Sequence, residues 1–235
     1  AWTRRDIDLT RHQDVREAIG ELAPQAIVNC ASFNQVDAAE DNQVTALDVN
    51  AMVVGTLARA AAALDAVLMH YSTDFVFAGT ASTPYKETDT PEPRSAYAQS
   101  KLIGEWLACD AAKHYVLRVE SLFGGPNRRS SVDRIVDLVR SGEPAPVFVD
   151  RVVSPSFVVD VADASAFILR TQPAPGVYHC VNSDHATWLT VGQEIVKRLG
   201  TSDATLKPIS VKDVKLRAER AASFASDWRS IAKGI

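Results

Sequence analysis

The sequence has little cysteine and no metal-binding pattern. Its 235 residues include three cysteines, Cys30, Cys109 and Cys180, which lie far apart and form no CxxC pair. This spacing argues against a disulfide framework and against a cysteine zinc site, and it agrees with a reducing, cytoplasmic location. The five histidines show no spacing such as HExxH, so no metal site is predicted.

Charge and hydropathy give no sign of a nucleic-acid or membrane partner. The formal net charge is −4 and no basic block occurs, which removes the electrostatic basis for nucleic-acid binding. No apolar run approaches the roughly 20 residues that a membrane-spanning helix needs, and no signal-peptide pattern is present. With 46% hydrophobic and 23% charged residues, the composition is that of a globular protein.

Short apolar runs alternate with helical patterns in the first half of the chain. Residues 26–30, 66–71 and 115–119 form continuous apolar runs, as strands buried on both faces of a parallel sheet do. Residues 50–64 and 95–112 have the composition and spacing of helices packed on a sheet. The alternation predicts βαβ units and therefore an α/β fold with a Rossmann-type, doubly wound parallel sheet.

The pattern changes after about residue 125. Helical patterns there mix with short strands, and five prolines interrupt them: Pro144, Pro146, Pro155, Pro173 and Pro175. We therefore predict a dinucleotide-binding core in residues 1–125 and a small α/β substrate-binding lobe in residues 126–235 that is interleaved with the core.

Hydroxyl and carboxyl groups follow the second predicted strand. Ser72, Thr73 and Asp74 lie where that strand ends. Ligands of open parallel sheets bind beyond the carboxyl ends of the strands, so these residues are candidates for a site. An equally simple interpretation is that they cap the turn, since such residues dominate turns.

A tyrosine and a lysine lie one helical turn apart in the following helix. Tyr97 and Lys101 share one helix face, and of the five tyrosines only Tyr97 has a lysine four residues on. An ammonium beside a phenol lowers its pKa from about 10, which suits it to proton donation near neutral pH. The pair is also compatible with an ordinary exposed helix. Together with Thr73, however, it suits the reduction of a carbonyl group.

The two segments just described belong to a series of short motifs whose order and spacing along the chain match one known protein family. The motifs include Ile27 to Ala31, Val36 to Glu40, Ser72 to Phe77, and Tyr97 to Lys101 with Gly104-Glu105. From residue 6 to about 235 the chain resembles the dTDP-4-dehydrorhamnose reductase family of nucleotide-sugar 4-ketoreductases, within the extended short-chain dehydrogenase/reductase superfamily. The resemblance implies NADPH or NADH as cofactor and a 4-keto nucleotide sugar as substrate, in deoxysugar biosynthesis. It also allows a homodimer.

The resemblance assigns roles to matching residues. Thr73 would hydrogen-bond the substrate ketone, Tyr97 would donate the proton, and Lys101 would lower the pKa of Tyr97 and hold the nicotinamide ribose. The cofactor would be bordered by Asn29, Cys30, Ala31, Asn50 and Ser72, with Tyr97 and Lys101. The sugar pocket would be bordered by Phe33, Val36, Asp74, Phe75 and Leu122.

Some of these assignments have alternatives. Asn50 would serve equally well as a helix N-cap, and the pocket residues as ordinary loop packing. Leu122 stands where the family often has a tryptophan, which leaves the hexose open. Arg217 and Arg220 suit a diphosphate because arginine matches phosphate oxygens, but a solvated helix face explains them equally well.

One departure from the family concerns the start of the chain. Family members open with a strand, a glycine-rich turn and a helix that bind the pyrophosphate, whereas this chain begins at Ala1 without them. We therefore expect the sequence to be a fragment or to lack N-terminal residues. An intact mass well above 25.5 kDa for the source protein would support this expectation, and a mass equal to 25.5 kDa would refute it.

Two other functions fit the same residues. One is a non-catalytic, dinucleotide-binding regulatory subunit, like the relatives of this family that regulate methionine adenosyltransferase. The other is a sugar-nucleotide epimerase or dehydratase, which shares the tyrosine–lysine pair and retains its NAD.

Overall fold

The computed structural model describes residues 1–215 and 217–218, which form eight α-helices and ten strands. In chain order, the helices are α1 His12–Leu22, α2 Val36–Asp41, α3 Gln43–Leu47, α4 Val53–Ala63, α5 Ala96–Ala108, α6 Ser131–Ser141, α7 Val158–Thr171 and α8 Trp188–Leu199. The strands are β1 Ala26–Asn29, β2 Val67–Thr73, β3 His114–Val119, β4 Leu122–Phe123, β5 Ala145–Phe148, β6 Val152–Val153, β7 Ser156–Phe157, β8 Gly176–His179, β9 Ala186–Thr187 and β10 Leu206–Ile209.

The centre of the fold is a four-stranded parallel sheet in the order β1-β2-β3-β8. Side chains alternate between the two faces of each strand, and each face is covered by helices. On one face, Leu68 and Val116 lie in a core cluster with residues of α1 and α4. On the other, Met69 and Leu117 cluster with residues of α7. The sequence-based prediction of a doubly wound α/β fold is confirmed.

The second half of the chain contributes to this sheet and also builds a smaller cluster. Strand β8 adds to the edge of the central sheet beside β3. Strands β5 and β10 pair in parallel and are packed against α6 and α8 by a separate set of buried side chains, among them Ile135, Val139, Val147, Trp188 and Val196. The boundary near residue 125 stays a prediction.

One helical run is longer than the sequence pattern indicated. Helix was predicted from residue 50, but α3 continues through a π-helical turn, Asp48–Met52, into α4. The whole run, Gln43–Ala63, is long and apolar enough to cross a membrane by length and composition, but just over half of it is buried inside the protein. Since Val53, Val54 and Leu57 belong to the core beneath the sheet, the run is a core helix.

Helix α5 lies very close to the π-helical turn. A Cβ placed on Gly104 would lie 2.1 Å from the backbone carbonyl oxygen of Asn50 and 3.5 Å from Nε2 of His70. Only a residue without a side chain fits at this contact. The absence of a side chain at residue 104 therefore sets how closely α5 approaches the π-helical turn.

We predict that Gly104→Ala lowers the free energy of unfolding by about 3 kcal/mol, because the new methyl group meets backbone that has little room to move. Gly20→Ala is the matched control, since a Cβ there meets nothing within 4 Å. That control should raise stability by about 0.5–1 kcal/mol, as alanine in an open helical position does. Urea denaturation measures both, and equal effects of the two substitutions would contradict the packing argument.

Candidate active site

The three predicted catalytic residues lie together at the carboxyl end of β2. Thr73 ends that strand, while Tyr97 and Lys101 occupy the first two turns of α5. The side chain of Ser95 caps this helix by accepting a hydrogen bond of 3.2 Å from the N–H of Ala98. Thr73, Tyr97 and Lys101 are 5%, 9% and 2% exposed. The capped first turns of α5 therefore position Tyr97 and Lys101. All three catalytic candidates are almost completely shielded from solvent.

Burial controls the protonation of Tyr97. The hydroxyls of Thr73 and Ser32 lie near the phenol and act to lower its pKa. Burial nevertheless raises the pKa of Tyr97 to about 12, and the nearby carboxyl of Asp74 adds to the rise. The prediction that Lys101 lowers this pKa is wrong for this structure, because desolvation dominates and Lys101 is not among the groups that lower the pKa. Tyr97 is therefore protonated at neutral pH and able to donate a proton.

Lys101 is held by groups of β2. Its Nζ donates a hydrogen bond of 2.6 Å to the carbonyl oxygen of Tyr71 and lies 3.3 Å from Nε2 of His70. Burial lowers the pKa of Lys101 to about 8, although Glu105 opposes the shift. The ammonium therefore occupies a fixed position beneath the end of the strand.

His70 links Lys101 to the end of the first strand. Its ring is fully buried, and Nδ1 lies 3.1 Å from Nδ2 of Asn29, the residue paired with it in the sheet register. Burial, with the charge of Lys101, holds the pKa of His70 well below its usual value. The apolar pattern of the strand predicts that His70 is buried. It does not predict the contact between His70 and Lys101, because that contact depends on the approach of α5.

The residues after β1 are arranged by Asn50. Its Oδ1 accepts the N–H of Phe33 at 2.8 Å and the hydroxyl of Ser32 at 3.1 Å, while its Nδ2 donates to the Ser100 hydroxyl at 2.9 Å. Asn50 lies inside the continuous helical run, so the N-cap interpretation is wrong. Its amide instead joins the loop after β1 to α5.

Three more of the predicted cofactor residues follow β1. Asn29 is buried at the end of the strand and accepts the N–H of Ala31 at 3.1 Å. Cys30 between them is exposed, although partial burial raises the pKa of its thiol. The three residues lie at the same edge of the sheet as Thr73, as the sequence predicts for parallel strands.

Ser72 belongs to a buried ion pair. Its hydroxyl donates to Oε1 of Glu105 at 2.5 Å. Arg118 donates to both oxygens of the same carboxylate, through Nε at 2.9 Å and Nη2 at 2.7 Å. The Ser72 side chain is therefore engaged in joining β2, β3 and α5, and its predicted contact with a cofactor stays a prediction.

Apolar pocket candidates surround Tyr97. Phe33, Val36 and Phe75 are partly buried and pack against it in one cluster. The rings of Phe75 and Tyr97 meet edge to face, with centroids 5.9 Å apart. Asp74 is more deeply placed than its predicted position at the rim of a sugar pocket implies, because it is 4% exposed and accepts the Thr73 hydroxyl at 3.0 Å.

Two pocket candidates lie on other elements. Leu122 is 39% exposed in β4, which pairs with β7. Arg217 forms an ion pair with Asp41 at the end of α2, with Nη2 2.8 Å from Oδ1. Arg220 lies outside the described residues. The predicted roles of Leu122 and Arg217 toward a substrate stay predictions.

Comparison with known proteins decides the family. The sequence model for the RmlD substrate binding domain matches residues 1–232 of the chain. The chain belongs to this family. It is 33% identical over 217 residues to dTDP-4-dehydrorhamnose reductase of Streptomyces griseus, a match that covers 88% of this chain and 70% of that protein.

A second relative and a solved structure extend the comparison. The chain is 34% identical over 204 residues to a probable dTDP-4,6-dihydroxy-2-methyloxan-3-one 4-ketoreductase of Streptomyces antibioticus, with 86% of this chain and 69% of that protein covered. The crystal structure of dTDP-4-dehydrorhamnose reductase from Bacillus anthracis in complex with NADP superposes with a TM-score of 0.92. That match has 25% identity and covers 100% of this chain and 83% of the other.

We predict that Lys101→Met, which removes the charge from a side chain of similar length, changes the pH dependence of stability. The pKa of Lys101 is about 8 in the folded protein against an ordinary 10.5, so between these values the unfolded chain binds more protons. The wild type should therefore gain stability relative to the variant as pH rises, by about 1.4 kcal/mol per unit between pH 8 and 10.

Urea denaturation at several pH values measures this difference. Lys113→Met, which removes an exposed ammonium paired with Asp65, is the control for the loss of one positive charge. If the difference in unfolding free energy between wild type and Lys101→Met does not change with pH, the burial argument is contradicted.

Proposed function

We propose that the protein reduces the 4-keto group of a nucleotide-linked sugar with NADPH or NADH as hydride donor. The observation that carries this proposal is the buried hydroxyl pair of Thr73 and Tyr97, with Lys101 one helical turn away, at the carboxyl end of β2. A phenol that stays protonated at neutral pH is suited to protonating an alkoxide that forms beside it.

The residues at this edge fit a nicotinamide cofactor. A lysine ammonium has three N–H donors, and Lys101 directs one of them to Tyr71 O, while its Nζ lies 3.3 Å from His70 Nε2. Another of these donors would bind the ribose hydroxyls. Asn29, Cys30 and Ala31 would run alongside the cofactor at the end of β1. The Bacillus anthracis relative, whose structure contains NADP, supports this kind of cofactor.

The chain's own residues account for the chemistry at the ketone oxygen. When bound, the reduced nicotinamide supplies the hydride. Thr73 holds the ketone oxygen by hydrogen bonding, and Tyr97 gives its proton to that oxygen as negative charge develops on it. Lys101 keeps a positive charge close to this oxygen. The buried surroundings exclude water and so strengthen each of these interactions.

The apolar side chains around Tyr97 suit a 6-deoxy sugar, which exposes more apolar surface than a fully hydroxylated one. Phe33, Val36 and Phe75 supply this surface. The names of the two Streptomyces relatives, a dTDP-4-dehydrorhamnose reductase and a 4-ketoreductase of a dTDP-linked sugar, agree with it. Leu122 and Asp74 would border the sugar, and Arg217 would reach a diphosphate only on leaving Asp41.

The remaining proposals are coarser. Residues 126–235 would form the substrate lobe, the protein would act in the cytoplasm, and two copies would associate as a homodimer.

A regulatory subunit without activity is the weaker alternative, because a binding module has no use for a buried phenol beside a threonine hydroxyl. An epimerase or dehydratase would return its hydride to the sugar and would consume no NADPH.

We predict that Tyr97→Phe lowers kcat/KM for a dTDP-4-keto-6-deoxyhexose by about 10²–10⁴-fold, since the proton donor is lost. Tyr115→Phe is the control: it also removes a buried-ring hydroxyl, one bonded to Pro173 O at 2.7 Å away from the site. NADPH oxidation at 340 nm measures turnover, and fluorescence energy transfer from tryptophan to NADPH measures binding. Retained turnover in Tyr97→Phe would remove Tyr97 from the mechanism.

A further inference from the structure

Two carboxyl groups are buried side by side next to the catalytic candidates. Thr73 and Val119 are paired in the register of β2 and β3, so Asp74 and Glu120 are the first residues after the ends of these two neighbouring strands. Their exposed fractions are 4% and 2%. No role was assigned to Glu120 on the basis of the sequence.

The surroundings of Glu120 supply only part of what a carboxylate needs. Oε1 accepts the backbone N–H of Ser154 at 2.9 Å. Oε2 is buried and has no hydrogen-bond partner within the part of the chain that the structure describes. Arg151 lies nearby, with its guanidinium 5.6 Å from the centre of the Phe75 ring, and its charge acts on both Asp74 and Glu120.

We propose that Asp74 and Glu120 form a proton-sharing carboxyl pair beside Arg151, and that Glu120 is a positioning residue that keeps a proton available to Asp74. Two buried carboxylates at neighbouring positions repel each other, so ionising both is costly. One arginine balances one of the two negative charges. The electrically neutral arrangement is therefore Arg151 with one ionised and one protonated carboxyl group.

The pKa values of both carboxyl groups are raised, as a pair that keeps one proton requires. Burial raises the pKa of Asp74 to about 7, against the opposing effects of the Thr73 hydroxyl and Arg151. Burial, together with the charge of Asp74, raises the pKa of Glu120 well above its usual value. We therefore assign the retained proton to Glu120, whose Oε2 has no hydrogen-bond donor among the described residues, and the exchanging proton to Asp74.

The pair connects to Tyr97 through one hydroxyl. Thr73 Oγ1 lies 3.0 Å from Asp74 Oδ1, and the same hydroxyl is close enough to the Tyr97 phenol to act on its pKa. If Tyr97 protonates the product, which rests on the proposed function, its phenolate takes the proton of the Thr73 hydroxyl. Thr73 in turn takes the proton of the Asp74 carboxyl group. One carboxylic acid becomes a carboxylate, one phenolate becomes a phenol, and water outside returns the proton to the pair.

Few charged groups of the described residues lie around this path. Arg151 and Glu120 face Asp74, and Tyr97 faces it across Thr73. Lys101 is held by Tyr71 O and His70. The transfer from Asp74 to a Tyr97 phenolate runs toward the stronger base, because the pKa of Tyr97 is about 12 and that of Asp74 about 7.

The pair is tested without substrate by infrared difference titration of the resting protein, which follows the carbonyl stretch of protonated carboxyl groups against pH. Wild type should show two steps, one near neutral pH and one above it. In Glu120→Gln the upper step should disappear and the step of Asp74 should remain. In Asp74→Asn the step of Glu120 should move to lower pH than the wild-type upper step, because the repelling charge is gone.

Glu143→Gln, which changes an exposed carboxyl group, should leave both steps in place. Thermal unfolding of each variant verifies that it is folded. An upper step that is absent from wild type, or that stays at the same pH in Asp74→Asn, would overturn the pair.

Turnover tests the connection to Tyr97. In the proposed pair, Glu120 holds a proton available to Asp74 as Asp74 titrates, whereas Glu120→Gln keeps only the Asp74 carboxyl group, whose pKa is about 7. The ratio of kcat at pH 6 to kcat at pH 8 should therefore be about tenfold larger in Glu120→Gln than in wild type. Equal ratios would overturn the relay. If wild type reduces no 4-keto nucleotide sugar, the proposed function fails, while the infrared titration still decides the pair.

Discussion

The close approach of helix α5 to the end of β2 is the constraint on which the site depends. At Gly104 the helix lies so close to the Asn50 carbonyl that no side chain fits between them. With the helix in this position, the Tyr97 phenol lies near the hydroxyl of Thr73, and Lys101 donates a hydrogen bond to the backbone carbonyl of Tyr71. The same helix supplies Glu105 to the buried ion pair with Arg118, which locks it to β3.

Dry surroundings then set the protonation of the site. Burial raises the pKa of Tyr97, lowers that of Lys101 and raises those of Asp74 and Glu120. Each shift favours the uncharged form of its group, as desolvation does. The result is a phenol that holds its proton, next to Asp74, whose carboxyl group exchanges its proton near neutral pH. A site of this kind suits proton delivery to an oxygen on which negative charge is developing.

Local sequence patterns predicted the elements better than the contacts between them. The predicted strand at 66–71 and the observed Val67–Thr73 differ by one or two residues at each end, because continuous apolar runs mark buried strands directly. Thr73, Tyr97 and Lys101 were found because helical spacing and strand ends are local. The high pKa of Tyr97, the contact of His70 with Lys101, and Glu120 depend on burial and on neighbouring elements, which no single segment encodes.

The central claim is that a hydride passes from the nicotinamide to C4 of a nucleotide-linked sugar. Reduction with NADPH deuterated on the transferred position of the nicotinamide ring, followed by NMR of the product, tests it most directly. The account predicts one deuterium at C4 of the sugar for each NADPH oxidised. A product without deuterium at C4, or conversion of the sugar with no NADPH consumed, would contradict it and would favour an epimerase or dehydratase.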